Sequence, residues 1–431
     1  MKMFINPYNF AGIDEENVAR EEAVRYGGKS GVLTVKLTFL TDALVGDGNR
    51  KFMKVGGRTG IYGSSLKGLL RATAEAISNS CISMISGDLS GSLDNILIEK
   101  CDKDHGLCVA CRIFGTTVKS YKINDEEETF SFAGKIKVMD AVSIDTNDTK
   151  KMTREVYLKN EHSLSSPNPL RHRIFYFDNN KIKGRKFYYH HKKANLPTTG
   201  EIRIEVVPEA SEFEFEIQYN SLTDKELGLL LQSIELENDL GHKLGMGKPL
   251  GLGSCEMRII RLKELNSKDR YSSLGSAKVF EGEALEKHIQ GLTKSYENGK
   301  ALALSRNLKL KDLLRLDKSR NNNGSPGPLQ IKYPGQKWFS ANKNVPLPSD
   351  GILDRPRTPP TKKTEKLQGK AKATVVEVKE FGTVLNLPDN KKGYLSKDKY
   401  ESKGIELKRG QSLEVIVGEF SDNSKMYICN L

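Results

Sequence analysis

Residues 31–40, Gly-Val-Leu-Thr-Val-Lys-Leu-Thr-Phe-Leu, alternate apolar and polar positions, the period-two signature of a half-buried strand. A polar, glycine-rich loop follows from 41 to 62, after which the period changes. Leu66, Leu69, Leu70, Ala74 and Ile77 share one face at helical spacing, with Ser64 or Ser65 as the cap. Strand-like runs return at 135–143, 201–207 and 212–219. Residues 223–237 predict an amphipathic helix behind the cap Thr223, and 254–262 predict a closing strand. Strand–helix–strand, twice over, is the ferredoxin-like order, so an α+β domain is expected over residues 1–263.

Residues 264–345 read as a mostly helical, basic extension, interrupted by Asn-Asn-Asn-Gly-Ser-Pro-Gly-Pro at 321–328. Residues 346–368 are rich in proline and lysine, as linkers are. From 369 to 431 the texture changes again. Short apolar runs at 373–378, 381–387, 392–395, 413–417 and 425–431 predict a five-stranded barrel.

The segment 241–253, Gly-His-Lys-Leu-Gly-Met-Gly-Lys-Pro-Leu-Gly-Leu-Gly, cannot be helix, because glycine gives up too much backbone entropy there. It predicts a loop whose unhindered amides, with Lys243 and Lys248, approach phosphate. Without a Walker ending or a Rossmann strand–turn–helix context, a polyanion fits it better than a nucleotide cofactor.

Charge strengthens that reading. The 431-residue chain carries a formal charge of +13, but unevenly. Residues 151–200 hold 11 Lys/Arg against 3 Asp/Glu, whereas residues 1–150 hold 19 against 20. Phe175, Tyr176, Phe177, Phe187, Tyr188 and Tyr189 interleave these cations, a combination suited to nucleic acid. No run of 18 apolar residues occurs, and the opening Met-Lys-Met-Phe-Ile-Asn-Pro is neither signal nor transit peptide. A soluble, cytoplasmic protein with no membrane partner is therefore expected.

Six cysteines are too few for a disulfide scaffold, and four of them fall between 81 and 111. Cys101-x3-His105-x2-Cys108-x2-Cys111 offers four soft or borderline ligands, the set a structural zinc ion takes in a tetrahedron. Cys81 is the alternative to His105 as fourth ligand. Cys255 and Cys429 sit in strand-like runs and read as core.

Two motifs in order carry a family resemblance. They are Gly63-Ser64-Ser65-Leu66-Lys67-Gly68-Leu69-Leu70-Arg71 and Cys108-Val109-Ala110-Cys111-Arg112-Ile113-Phe114-Gly115, with the glycine segment after them. Together they resemble the RAMP superfamily of CRISPR-associated proteins, over residues 30–260. The resemblance is greatest to Cas-seven-type backbone subunits of type III effector complexes. Residues 183–193, Lys-Gly-Arg-Lys-Phe-Tyr-Tyr-His-His-Lys-Lys, are similar to an element of a III-D-like subgroup. The tail resembles the OB-fold RNA-binding repeat of a large ribosomal protein, through Phe381-Gly382 and Lys392-Gly393-Tyr394-Leu395.

The resemblance implies a ferredoxin-like RAMP core with a zinc knuckle and a thumb-like basic insertion at about 145–200, followed by an OB-fold barrel. It implies partners too: guide RNA (crRNA), target RNA, further copies of the chain and other CRISPR effector subunits. Lys67 and Arg71, one helical turn apart, would face a backbone phosphate. Arg171, Arg173, Arg185, Lys186, Tyr188, His190 and His191 would contact RNA from the insertion, Lys243 and Lys248 from the glycine loop. Phe381 and Tyr394 would stack on bases from the barrel. Asp47 in the 41–62 loop, with Asp42 as the alternate, matches the carboxylate implicated in metal-assisted RNA cleavage with Mg or Mn. Three activities stay open at this point: a target-cleaving backbone subunit, a guide-processing endoribonuclease using histidine acid–base chemistry, and a non-cleaving RNA-binding scaffold.

Overall fold

The computed structural model describes residues 3–13, 18–22, 26–46, 50–82, 101, 106–119, 129–144, 152–158, 173–178, 181–190, 200, 202–265, 277–297 and 308–316. It also describes 331, 338, 342, 345, 347–348, 350, 352–354, 369–388, 391–421 and 426–431. The chain forms two compact units, Met1–Arg355 and Pro356–Leu431. Among the described residues no helix is long and apolar enough to cross a membrane.

The first unit is organised by a nine-stranded sheet. Its strands are β1 (Lys29–Phe39), β2 (Met53–Val55), β3 (Arg58–Ile61), β4 (Ile136–Val138), β5 (Ala141–Ser143), β6 (Glu212–Leu222), β7 (His242–Lys243), β8 (Ser254–Leu265) and β9 (Lys278–Phe280). The order is β7-β8-β1-β6-β5-β3-β2, with β4 also on β6 and β9 also on β8. The helices are α1 (Gly63–Ile77), α2 (Val109–Phe114), α3 (Asp224–Ile234), α4 (Gly282–Glu297) and α5 (Leu308–Leu314). Reduced to β1-α1-β4/β5-β6-α3-β8, with β8-β1-β6-β5 side by side and antiparallel, this is the ferredoxin-like arrangement that the strand–helix repeat predicts.

Alternation explains the sheet. Phe213, Phe215, Ile217 and Tyr219 of β6 are buried, while Glu212, Glu214, Glu216 and Gln218 between them are not. Leu33, Val35, Leu37 and Phe39 of β1 meet them in one core with Leu66 and Leu70 of α1 and Leu227 and Leu230 of α3. The helix α3 starts on a full capping box: Thr223 Oγ1 accepts from the Glu226 amide while the Glu226 carboxylate accepts from the Thr223 amide.

The start of α1 departs from the sequence reading. Its cap is Tyr62, not Ser64 or Ser65, and no side chain of the cap residue bonds to the helix. The Gly63 amide instead donates to the Asp140 carboxylate at 2.7 Å. A side chain on Gly63 would run into the Val138 carbonyl, so the glycine sets the close approach of α1 to the 138–140 turn. That turn also divides the expected 135–143 strand into β4 and β5.

The chain N-terminus was silent in the sequence reading, yet it is knitted into this unit. Tyr8–Ala11 pairs antiparallel with Arg185–Tyr188, and Met3–Ile5 pairs with Ile352–Asp354. Within the expected thumb-like insertion, Arg154–Leu158 pairs with Ile202–Val206. The helix α4 packs on α3, so the extension after 264 belongs to the first unit.

The second unit is a closed barrel of β10 (Gly369–Lys379), β11 (Gly382–Asn386), β12 (Lys392–Ser396), β13 (Ser412–Ser421) and β14 (Met426–Asn430), in the order β10-β11-β12-β14-β13. All its pairs are antiparallel except β12 with β14. Val375, Leu385, Leu395, Val415, Val417 and Cys429 fill the interior.

Candidate functional site

Four thiols converge behind the C-terminal end of α1. The Sγ atoms of Cys81, Cys101, Cys108 and Cys111 all lie within 4.8 Å of one another, and all four residues are buried. Cys81 Sγ is 3.5 Å from those of Cys101 and Cys111 and 3.6 Å from that of Cys108. No disulfide forms among them. The edge of a tetrahedron with metal–sulfur bonds of about 2.3 Å is about 3.8 Å, so the spacing suits one ion held by four thiolates. The set contains Cys81, the alternate fourth ligand of the sequence reading, while His105, the first choice, lies outside the described residues. The Cys108 amide already donates to Cys101 Sγ at 3.1 Å.

Two cations expected on an RNA-facing surface are instead drawn in around this cluster. Arg71 donates to Glu75 at 2.8 Å, to the Gly115 carbonyl at 2.8 Å and toward Cys111 Sγ at 3.7 Å. Arg185 donates to the carbonyls of Ser80 and Cys81, and its side chain is 8 % exposed. Sequence reasoning missed Glu75, which lies between the two guanidiniums; its spacing of four from Arg71 was the available signal.

The glycine loop is folded in on itself. Gly245, Gly247, Gly251 and Gly253 have φ of 90°, 71°, 88° and 77°, the left-handed region that glycine alone enters freely. Side chains at Gly245 and Gly253 would collide with the carbonyls of Leu44 and Leu244. Its amides are largely used within the protein: Met246 N–H donates to Leu44, Gly253 to Asp42, Leu244 to Gly253, and Leu250 and Leu252 to Gly247. The expected row of free amides is thus a tight turn seated on the chain after β1. Lys243 Nζ caps it from inside, donating to the Leu252 carbonyl at 3.2 Å.

Lys186 is half-buried, with its ammonium turned onto aromatic rings. Its Nζ sits 3.8 Å over the Tyr8 ring and donates to the Tyr176 hydroxyl at 3.2 Å. His190, 2 % exposed, has Nδ1 on Ser254 Oγ at 2.9 Å and Nε2 on the Gly241 carbonyl at 3.1 Å, so both nitrogens are engaged. Asp42, the alternate catalytic carboxylate, is buried; it accepts from Arg154 and from the Glu209 amide at 3.2 Å. In each case long-range partners within the protein engage these polar groups.

Other expected residues remain at or near the surface. Lys67 is half-buried on α1, its pKa lowered by burial and by Arg71. Tyr188 is half-buried beside Tyr8. Phe381, in the turn between β10 and β11, is 75 % exposed. Tyr394 on β12 lays its ring against Gly382, where a side chain would meet its hydroxyl at 2.5 Å. Ile428, opposite Tyr394, is exposed as well, giving the barrel an apolar platform. Asp47, Arg171 and His191 lie outside the described residues, and of Arg173 only the backbone is described, in a short helix.

Lys186 from the expected insertion lies near Lys248 of the glycine loop, as Lys243 does. Burial, with the nearby Lys248 charge adding to it, pushes Lys186 and Lys243 down to about 7. Lys248 is itself lowered by burial. Burial also pushes His242 down to about 4, against the Ile234 carbonyl that accepts from it. Each of these groups binds its proton less tightly folded than unfolded. The unfolded chain therefore takes up more protons, for Lys186 and Lys243 between about 7 and 10.5 and for His242 between about 4 and 6.5. Stability is expected to rise from pH 7 to 9, by up to about 1.4 kcal/mol per unit for each lysine. Thermal melts across that window test this; a melting temperature that falls would refute it.

Comparison with known proteins places the chain. The family model of the RAMP superfamily matches residues 36–256. Among solved structures, the Csm3-Csm4 subcomplex of the type III-A CRISPR-Cas interference complex overlaps it at 18 % identity, over 62 % of this chain and 98 % of that one. The TM-score is 0.31, too low to carry functional weight. No curated protein matches the chain. The matched span runs from within β1 into β8, taking in both motifs, the cysteine cluster and the glycine loop, and the chain belongs to the RAMP superfamily.

Proposed function

We propose that this chain is a guide-RNA-binding backbone subunit of a CRISPR effector ribonucleoprotein, holding crRNA for pairing with target RNA. The observation that carries the reading is RAMP membership over residues 36–256, from within β1 into β8 of the ferredoxin-like sheet. Residues 1–263 form the RAMP core, 264–345 its extension, 346–368 a linker and 369–431 an OB-fold. The one-parallel-pair barrel with Phe381, Tyr394 and Ile428 on its outer surface supports that last assignment. Neighbours in the assembly are other copies and other effector subunits.

In this reading the four cysteines hold a structural zinc ion, supported by their mutual spacing and their sulfur-only chemistry. Zinc there cross-links α1, the 101–111 knuckle and α2, with no open coordination position for catalysis. Metal-assisted target cleavage is assigned to Asp47. The stem of its loop is held firmly: the Phe52 amide donates to Glu205 at 3.2 Å and the Glu205 amide donates to the Arg50 carbonyl at 3.2 Å. Histidine-driven guide processing is the weaker reading, because both nitrogens of His190 are committed inside the protein.

The test is a guide complex assembled from the purified chain and given labelled complementary RNA with Mg or Mn. Guide binding is expected to weaken steeply with salt, as counterion release requires. Cuts at regular intervals are expected from wild type, and Asp47→Ala is expected to slow them by about 100-fold or more while guide binding survives. Guide and target bound but uncut by wild type would make the chain a scaffold. No guide binding at low salt would remove the backbone assignment itself.

A further inference from the structure

We propose that the four-cysteine centre, loaded with zinc, is an electrostatic latch that holds the 181–190 segment on α1 through Arg185. The proposal rests on the zinc reading above. Four thiolates around one Zn²⁺ carry a formal charge of −2, which is costly to bury without nearby cations and donors. The structure supplies those cations from two distant parts of the chain. Arg71 comes from α1 and reaches Cys111 Sγ at 3.7 Å. Arg185 comes from a strand about a hundred residues later and spans the Ser80 and Cys81 carbonyls, so it grips the backbone of a ligand residue.

Arg185 is poorly provided for otherwise. Its Nε is buried with no hydrogen-bond partner and lies 3.9 Å from Glu75. That carboxylate is already engaged by Arg71 at 2.8 Å. With four neutral thiols beside it, the Arg185 guanidinium shares one carboxylate with a second guanidinium. With a dianionic zinc–thiolate centre beside it, both cations have a counter-charge. Metal occupancy therefore sets how strongly Arg185 is drawn down.

What Arg185 holds matters, because the same segment reaches the glycine loop. Arg185–Tyr188 is the partner strand of Tyr8–Ala11, Lys186 lies over Tyr8, and His190 bonds to Gly241 and Ser254 on either side of the loop. A metal ion at the cysteines thereby fixes the geometry of the loop across the fold. Arg71 and Arg185 act as positioning residues for the metal and the segment, not as contacts to RNA.

The test uses the full chain without RNA. Zinc affinity is measured by chelator competition for wild type, Arg185→Gln and Arg185→Lys, and backbone hydrogen exchange is followed in zinc-loaded and chelated protein. Arg185→Gln is expected to lose about 10- to 100-fold in zinc affinity, the usual cost of an outer-shell partner. Arg185→Lys, which keeps charge without the fork, is expected to fall between. Chelating wild type is expected to speed exchange at 185–190 and leave the barrel strand at 371–375 unchanged. Zinc bound equally by wild type and Arg185→Gln, with exchange at 185–190 indifferent to the metal, overturns the latch and leaves the zinc reading standing. No zinc bound by wild type overturns both. Should Arg185→Gln fail to fold, wild-type exchange with and without metal decides alone.

Discussion

Substituting Cys81 by serine is expected to cut bound zinc from about one per chain to nearly none and to cost about 4 kcal/mol or more of stability. Cys81 stands at the centre of the four thiols, within 3.6 Å of each of the other three sulfurs. A serine fills nearly the same volume but offers a hard, protonated oxygen where zinc takes thiolate. The three remaining thiols would then share an incomplete shell, beside two guanidiniums left to share the Glu75 carboxylate. Metal analysis of the purified variant, with a thermal melt beside it, makes the measurement. Cys255→Ser is the control, since Cys255 is buried in β8 and lies outside the four-thiol cluster. A Cys81→Ser protein that keeps its zinc while His105→Ala loses it would restore Cys101, His105, Cys108 and Cys111 as the ligand set.

The sequence made the sheet legible because alternation is local. The run Glu-Phe-Glu-Phe-Glu-Ile-Gln-Tyr states both the strand and its buried face without reference to any other segment. The spacing of Cys101, Cys108 and Cys111 was legible for the same reason, whereas Cys81, which joins them, lies far earlier in the chain and was only the alternate. What escaped depends on partners far apart. Nothing around Arg185 announces that it turns toward Ser80, and nothing in Tyr8–Ala11 announces a strand beside residues 185–188. Charge composition counts cations without saying which are engaged inside the protein, so Arg71, Arg185, Lys186 and Lys243 read as free surface charges when their head groups are held by protein partners. The glycine loop erred differently. Glycine content gave a loop, but neither its left-handed backbone nor whether the amides faced outward or into the fold.

Glu226→Gln is expected to destabilise the first unit by about 3–5 kcal/mol, the range for breaking a buried ion pair by removing one partner. Glu226 is 1 % exposed and holds Arg112 Nε at 2.8 Å, Lys135 Nζ at 2.9 Å and the Thr223 amide at 3.0 Å. Arg112 also donates to the Leu107 carbonyl, so the carboxylate ties α2 and the 134–135 turn to the start of α3. Burial alone would push the Glu226 carboxyl up; Lys135, the Thr223 amide and Arg112 outweigh it and hold it below its ordinary 4.5. Its contribution is therefore present at neutral pH and is lost as pH falls below that value. The glutamine amide keeps the shape but leaves two cations facing each other with only the exposed Glu21 nearby. Chemical denaturation at pH 7 gives the loss, and a repeat near pH 3 is expected to shrink the gap between the two proteins. Replacing Glu226, Arg112 and Lys135 together by apolar residues of similar volume is expected to recover much of the loss, because the cost lies in the orphaned charges. A Glu226→Gln protein as stable as wild type would mean that the two cations find other partners at little cost, and the network would lose its place in holding α2 to α3.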